Sequence, residues 1–435
     1  MKKTIAICIA AAFSLCAPAQ RVMTLAQCID YAVSHNVNVK RYANNVEQQK
    51  VQLSTARNSR LPDLTAGASQ SFNFGRGLNS ENAYVNRNTQ STGFNLQTSV
   101  PLLTGGRIPN EIAMSRLNLQ AATADLEHAR QSIALQVAAA YLQAVYAAEV
   151  VKVQEAQVAF SKIQEDRISK LFNAGKSPES DVVEAHSQVA QDEMERTQAK
   201  CDYKLAMLDL SQLLELSSPD SIEIVEPQGE TSPTLPPLPD RIFARAGVKP
   251  EIQAEKLRLQ AAEKNIRIAK AALYPTLSLG AGLSSEYYKT SGYQTPSFSK
   301  QLSDNFNKSI GLSLNIPIFN RLATRNSIRQ AKLQQSEQAL QLDETKKTLY
   351  KEIQQAYYNA VNAQAKYESA LAARNAAESN FNMMTGKFEN GRANATELEE
   401  AKTKRANAIT STLQAKYEYI LRMKIIEFYE GNKLG

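Results

Sequence analysis

The chain has 435 residues, a negative mean hydropathy of −0.37 and a net charge of +7. That length calls for more than one structural part, and the hydropathy excludes a polytopic helical membrane protein. Lys and Arg are interleaved with Glu and Gln rather than gathered into a basic block with aromatics, so the charge reads as solvated helical faces and no nucleic-acid partner is expected.

The chain opens with "MKKTIAICIAAAFSLCAPAQ". Lys2 and Lys3 precede an apolar core from Ile5 to Leu15, which is shorter than the ~20 residues a membrane-crossing helix needs. Ala17-Pro18-Ala19 then supplies a signal-peptidase pattern, so residues 1–19 read as an export signal and Gln20 as the mature start. Leu15 before Cys16 argues against a lipoprotein cleavage site.

Residues 25–60 read as helical, with Leu25, Cys28, Ile29, Ala32 and Val33 on one face. Leu61-Pro62 stops that helix, because proline disfavours helical geometry in the residue before it. The period then changes to two. Leu64, Ala66, Ala68, Phe72 and Phe74 alternate with small polar residues, and residues 94–100 repeat the pattern with Phe94, Leu96 and Val100. The intervening "GRGLNSENAYVNRNTQ" is polar and turn-rich. From about residue 105 to 173 the sequence is continuously helical and rich in Ala, Gln, Glu and Lys, long enough to reach roughly 100 Å at 1.5 Å per residue. A helix of that length without its own core must pack side by side with others. It ends in "LFNAGKSPESDVVEA" (171–185), a helix stop followed by a helix start.

Residues 217–241, "SSPDSIEIVEPQGETSPTLPPLPDR", form a proline-rich linker between a first repeat (20–216) and a second (242–435). In the second repeat Leu277, Leu279, Ala281 and Leu283 alternate with small residues, as do Ile310, Leu312, Leu314 and Ile316. Another helical stretch runs from about 321 to 389 and ends in "KFENGRANATELEEA" (387–401). The 216-residue step from Gly175 to Gly391 also separates Pro101 from Pro317, Tyr141 from Tyr357, Phe172 from Phe388, Ala185 from Ala401 and Tyr203 from Tyr419. One step held over so long a stretch is a tandem duplication of a structural half.

The four alternating segments suit a transmembrane β-barrel, apolar toward lipid and polar toward a lumen, or else a soluble sheet with one covered face. Four strands cannot close a membrane barrel, since single-chain barrels have at least about eight. The barrel reading therefore requires several copies to share one barrel. At the turns, Gly175 and Gly391 end the descending helices, and Ser177 or Pro178 in one copy and Asn394 in the other can start the returning ones. Asp181 and Glu184, and likewise Glu397 and Glu400, fall on one helix face near a helix N-terminus, where the dipole alone favours acids.

No catalytic constellation, cofactor loop or metal spacing is present. His35, His128 and His186 are far apart and read as solvated helix residues. Cys28 and Cys201 could pair in an oxidising compartment, but two unpaired helix residues is the better reading, since the repeat partner of Cys201 is Tyr417.

Taken together, "TLAQCIDYAVSHNVNV", "LPDL" and "YPTL" before the strands, "VPLLTGG" and "IPIFN" after them, and the two hairpin signatures (Phe172, Gly175, Asp181, Ala185; Phe388, Gly391, Glu397, Ala401) resemble the TolC family of outer-membrane efflux proteins. The likeness covers nearly all of the mature chain. It implies a mostly α fold with a membrane β-barrel: a tandem-duplicated long-helix coiled-coil barrel with four strands per protomer, and a twelve-stranded barrel shared by a homotrimer. It implies an exit duct of a tripartite efflux or type I secretion system, in outer-membrane lipid and reaching through the periplasm to a periplasmic adaptor protein and an inner-membrane transporter. Phe172, Gly175, Ser177, Phe388, Gly391 and Arg392 would then mark the tip and its adaptor contact. Asp181, Glu184, Glu397 and Glu400 would line the pore constriction. Ala393 stands where some members carry a basic latch residue, with Arg392 one place earlier. The competing reading is an exported structural coiled-coil protein without channel activity.

Overall fold

The structure is a computed structural model and describes residues 21–78, 82–226, 235–246 and 249–432. The export signal, with Cys8 and Cys16, and part of the 217–241 linker lie outside the described residues. In chain order the elements are β1 (Arg21–Met23), α1 (Leu25–His35), α2 (Val37–Asn58), β2 (Thr65–Asn73), β3 (Arg76–Leu78), β4 (Tyr84–Asn86), β5 (Thr89–Thr104), α3 (Arg107–Asn173), α4 (Glu179–Leu213), β6 (Ile222–Ile224), α5 (Pro239–Ala246), α6 (Pro250–Ala271), β7 (Thr276–Thr290), α7 (Phe298–Asp304), β8 (Asn307–Asn315), α8 (Ala323–Glu389) and α9 (Ala395–Glu430). The fold is mostly α, and α3 and α8 each run 67 residues without a break. Pro109 falls in the first turn of α3, where a missing N–H costs no helical hydrogen bond.

Two compact units divide the chain, and the chain passes between them inside α2, α3, α6 and α8. One unit holds residues 45–124 and 253–344. Its centre is an antiparallel sheet in the order β2-β5-β7-β8. The register sets Ala66 opposite Leu96, Leu96 opposite Leu283, and Leu283 opposite Lys308. Because side chains alternate along a strand, Phe94, Leu96, Leu279, Leu283, Ile310 and Leu312 share one face, and Gly67, Asn95, Gln97, Gly280 and Ser309 share the other. The apolar face is bare: Ile310, Leu312 and Leu314 are 78%, 66% and 59% exposed. In the sheet's strand order β2 and β8 are the two edge strands. Beside it, Leu53, Ile108 and Ile112 form a small core with Ala56 and Leu119.

The other unit holds residues 1–44, 125–252 and 345–435. Its main core joins Cys28, Ile29 and Ala32 of α1 to Ile133, Val137, Tyr141 and Val145 of α3, Leu210 of α4 and Tyr417 of α9. Among the described residues α3 alone is long and apolar enough to cross a membrane by composition. Its apolar residues 133–147 instead pack into this core. A short parallel pair, β1 with β6, borders it. The Tyr141 hydroxyl ties that pair down: it donates to the Val225 carbonyl (2.6 Å), accepts from the Val225 N–H, and lies 3.1 Å from the Met23 carbonyl oxygen.

Several boundaries differ from the sequence reading. The helix expected over 25–60 is two helices, broken at Asn36, whose Nδ2 donates to the Leu213 carbonyl and whose Oδ1 accepts from the Asn38 N–H. Strands β5 and β7 run 16 and 15 residues, past the alternating segments 94–100 and 277–283, because the residues from Thr89 to Gly93 pair with those from Glu286 to Thr290 and lengthen the ladder. The turn-rich stretch after β2 contains the β3–β4 hairpin, and β6 lies in the linker. Cys28 and Cys201 are unpaired: Cys28 is fully buried, its thiol pushed up to about 11 by desolvation, and Cys201 is exposed.

The duplication extends to backbone conformation. Left-handed residues occur at Gly105 and Gly106, and again 216 positions later at Arg321 and Leu322. They occur at Gly175 and Gly391, and at Glu215 and Gly431. In the first copy a side chain at Gly105 would strike the Ala271 carbonyl oxygen at 2.6 Å, so glycine is required there. The second copy holds the same strand-to-helix corner with two side-chain-bearing residues, at a cost in backbone energy.

Candidate functional site at the hairpin tips

The six residues expected at the tip and the four expected at the constriction lie in one unit, where α3 pairs with α4 and α8 with α9. Both α3 and α8 end in the same motif. At the first, Gly175 N–H donates to the Phe172 carbonyl and Lys176 N–H reaches back to the Leu171 carbonyl, each at 2.8 Å. At the second, Gly391 N–H donates to Phe388 and Arg392 N–H to Lys387, at 3.1 and 2.8 Å. These are Schellman closures, which need a left-handed residue after the last helical turn. Gly175 and Gly391 supply it with φ of +71° and +69°.

The returning helices start differently. Helix α9 is capped by Asn394: its Oδ1 accepts from the Glu397 N–H (2.8 Å), while the Glu397 carboxylate accepts from the Asn394 N–H (3.0 Å). Helix α4 follows Pro178, which has no capping side chain, and Ser177 Oγ donates to Asp181 across the entry instead (2.7 Å). Glu397 and Asp181 therefore both take part in starting helices. Lys404 Nζ lies 2.5 Å from Glu400 and holds its carboxyl below the usual range. Glu184 and Arg392 are exposed at the surface. Phe172 is 40% exposed, whereas Phe388 packs against Phe381, Leu398 and Ala401, with the Arg167 guanidinium 5.1 Å from its ring centre.

The two hairpins are joined through groups that the sequence reading did not single out. Phe160 of α3 meets Phe381 of α8 edge to face at 5.5 Å. Beside them Lys402 of α9, 1% exposed, donates to Asp192 of α4 (2.6 Å), Ser161 of α3 (2.5 Å) and Glu399 (2.9 Å). Gln188 donates to the other Asp192 oxygen at 2.9 Å. A lysine with two carboxylates and a hydroxyl is a satisfied buried cation, which burial would otherwise make costly. The available signal was a charge at a buried helical spacing: Lys402 follows Leu398 by four residues, and Asp192 follows Val189 by three. A cavity of about 60 Å³ opens next to this cluster, lined in part by Asp181, Glu184, Gln188, Phe388 and Glu399.

Among the described residues no group of three or more His, Cys, Asp or Glu is placed to share a metal ion. His128 and His186 instead pair singly with Glu251 and Glu165, at 2.6 and 2.8 Å.

The family model described as outer membrane efflux protein matches residues 28–215 and 246–423. The chain is similar to the outer membrane efflux protein BepC of Brucella suis, 25% identical over 70% of this chain and 64% of BepC. It is similar to the outer membrane protein TolC of Escherichia coli, 23% identical over 97% of this chain and 85% of TolC. In three dimensions it resembles the CmeC outer membrane channel of Campylobacter jejuni with a TM-score of 0.78 and 19% identity, over 94% of this chain and 85% of CmeC.

Proposed function

We infer that this chain, which belongs to the outer membrane efflux protein family, forms an exit duct by closing one outer-membrane barrel from three copies. The observation that carries this is the two-faced sheet with an edge strand on each side. In hydrocarbon an unpaired edge leaves backbone polar groups unsatisfied, so spanning sheets must close. Four strands per chain are too few for that, and three copies give twelve, an even number in the range of bacterial barrels. The bare Leu and Ile face then meets lipid, and the Gly, Ser, Asn and Gln face lines a watery lumen. A soluble coiled-coil protein would have to cover that apolar face.

The duct works with a periplasmic adaptor and an energised inner-membrane transporter, a reading supported by family membership. In it residues 1–19 are removed on export, residues 20–216 and 242–435 are the two halves, and the hairpins are the adaptor-facing tip. Phe172, Gly175, Ser177, Phe388, Gly391 and Arg392 shape that tip. Asp181, Glu184, Glu397 and Glu400 contribute the negative charge of the aperture. Co-purification from cross-linked cells tests the assembly: an adaptor and a transporter should be recovered with the wild-type chain. Recovery of neither, under conditions that preserve the oligomer, contradicts it.

A further inference from the structure

Strand β7 outruns β8. Their pairing ends at Ser284 and Asn307, yet β7 stays paired to β5 as far as Thr290. Helix α7 stands where β8 would have continued. Gln301 Oε1 accepts from the Tyr288 N–H (2.9 Å), Asn305 Nδ2 donates to the Glu286 carbonyl (2.6 Å), and Ser285 Oγ donates to the Leu302 carbonyl (2.7 Å). The helix thus satisfies a strand edge with side chains.

It also leans onto the apolar face. Phe298 packs against Tyr287 (5.1 Å between ring centres) and Phe94 (6.4 Å), which share the face of Leu96 and Leu283. Phe306 lines the same face together with Ala66, Ala68 and Leu96. Phe298 and Phe306 remain about half exposed. On this face Lys308 lies opposite Leu283, where the pairing of β8 with β7 ends, Lys289 lies six residues further along β7, and α7 carries Lys300; all three are exposed. Lys308 Nζ lies 5.5 Å from the Phe306 ring centre, and no ion pair engages any of the three among the described residues. At the opposite end of the sheet β5 runs directly into α3, so the α7 end is the one away from the helices.

Half-exposed aromatic rings beside unneutralised lysines, at the border of an apolar face, match the boundary between acyl chains and anionic headgroups. We propose that α7 and the adjoining face dock a phosphorylated glycolipid of the outer leaflet, with its phosphates at Lys289, Lys300 and Lys308 and its acyl chains along Tyr287, Phe298 and Phe306. This rests on the reading that the apolar face meets lipid.

The test is binding of lipid A, and of lipid A stripped of its phosphates, to the purified detergent-solubilised oligomer by native mass spectrometry. The wild type should bind the phosphorylated form at least tenfold more tightly. The triple variant K289Q/K300Q/K308Q should lose that preference, K289R/K300R/K308R should keep it, and F298A should weaken both forms. No binding by the wild type, equal binding of the two lipids, or an unchanged preference in the glutamine variant overturns the proposal. The same spectra report the oligomer: a chain that never forms a membrane-extracted oligomer fails on the barrel reading, whereas an intact oligomer without phosphate preference fails on this one alone.

Discussion

Lys402 and Asp192 form a buried ion pair, 2.6 Å apart, that joins the second hairpin to the first. Its members are 1% and 7% exposed at the side chain, and Ser161 and Gln188 occupy the remaining hydrogen-bonding positions. Removing one partner from such a pair strands the other charge out of water, at about 3–5 kcal/mol. Lys402→Ala should therefore unfold the hairpin unit at markedly lower temperature. Lys402→Met combined with Asp192→Leu should recover most of the loss. Thermal unfolding of the detergent-solubilised protein checks both, and equal damage in the single and double variants would contradict the pair's role.

This pair shows where sequence was informative and where it was not. The two 67-residue helices, the four sheet strands and both glycine turns were legible, because hydrophobic period and turn chemistry are local properties. Lys402 and Asp192 were not. Their repeat counterparts are His186 and Ala408, so the duplication gives no pointer, and a charge looks solvated until its partner two hundred residues away is known. Helix α7 was missed for a similar reason, since its hydrogen bonds go to a strand edge that exists only after folding. Glu397 was legible as an acid near a helix start, and its contact with the Asn394 N–H accounts for that position.

At the tips, a side chain added to Gly175 or Gly391 would meet nothing within 4 Å, so space does not require glycine there. The left-handed backbone does. Gly175→Val and Gly391→Val should leave barrel insertion intact and reduce adaptor cross-linking, with alanine milder than valine. Unaltered cross-linking in both valine variants would count against these turns as the docking tip.

The strand-to-helix corners give a paired prediction. Gly105→Ala drives a methyl into the Ala271 carbonyl and should destabilise. Leu322→Gly removes a side chain from a left-handed position in the other repeat. It should be neutral to stabilising, by up to about 1–2 kcal/mol less any cost in chain entropy. Denaturant unfolding decides; a strongly destabilised Leu322→Gly would mean that its side chain holds the corner.

The charge proposed for the aperture can be separated from helix capping. Glu397→Gln keeps an oxygen for the Asn394 N–H, so the cap survives while the charge is lost. Together with Glu400→Gln it should reduce cation preference in single-channel recordings and weaken block by polyvalent cations from the periplasmic side. Glu397→Ala should also lower helix stability, because the Asn394 N–H loses its acceptor. Since Lys404 already faces Glu400, Glu397 should dominate, and Asp181 and Glu184 should give the same kind of change to a smaller extent. Unchanged selectivity in a correctly assembled oligomer would leave these acids as helix-start groups.

The four strands of one chain are too few to close a membrane barrel. Native mass spectrometry of the protein extracted from outer membranes measures this directly. It should give a single species of three protomers that inserts into bilayers and conducts ions. A monodisperse, membrane-inserted monomer would contradict the shared barrel and the duct built on it.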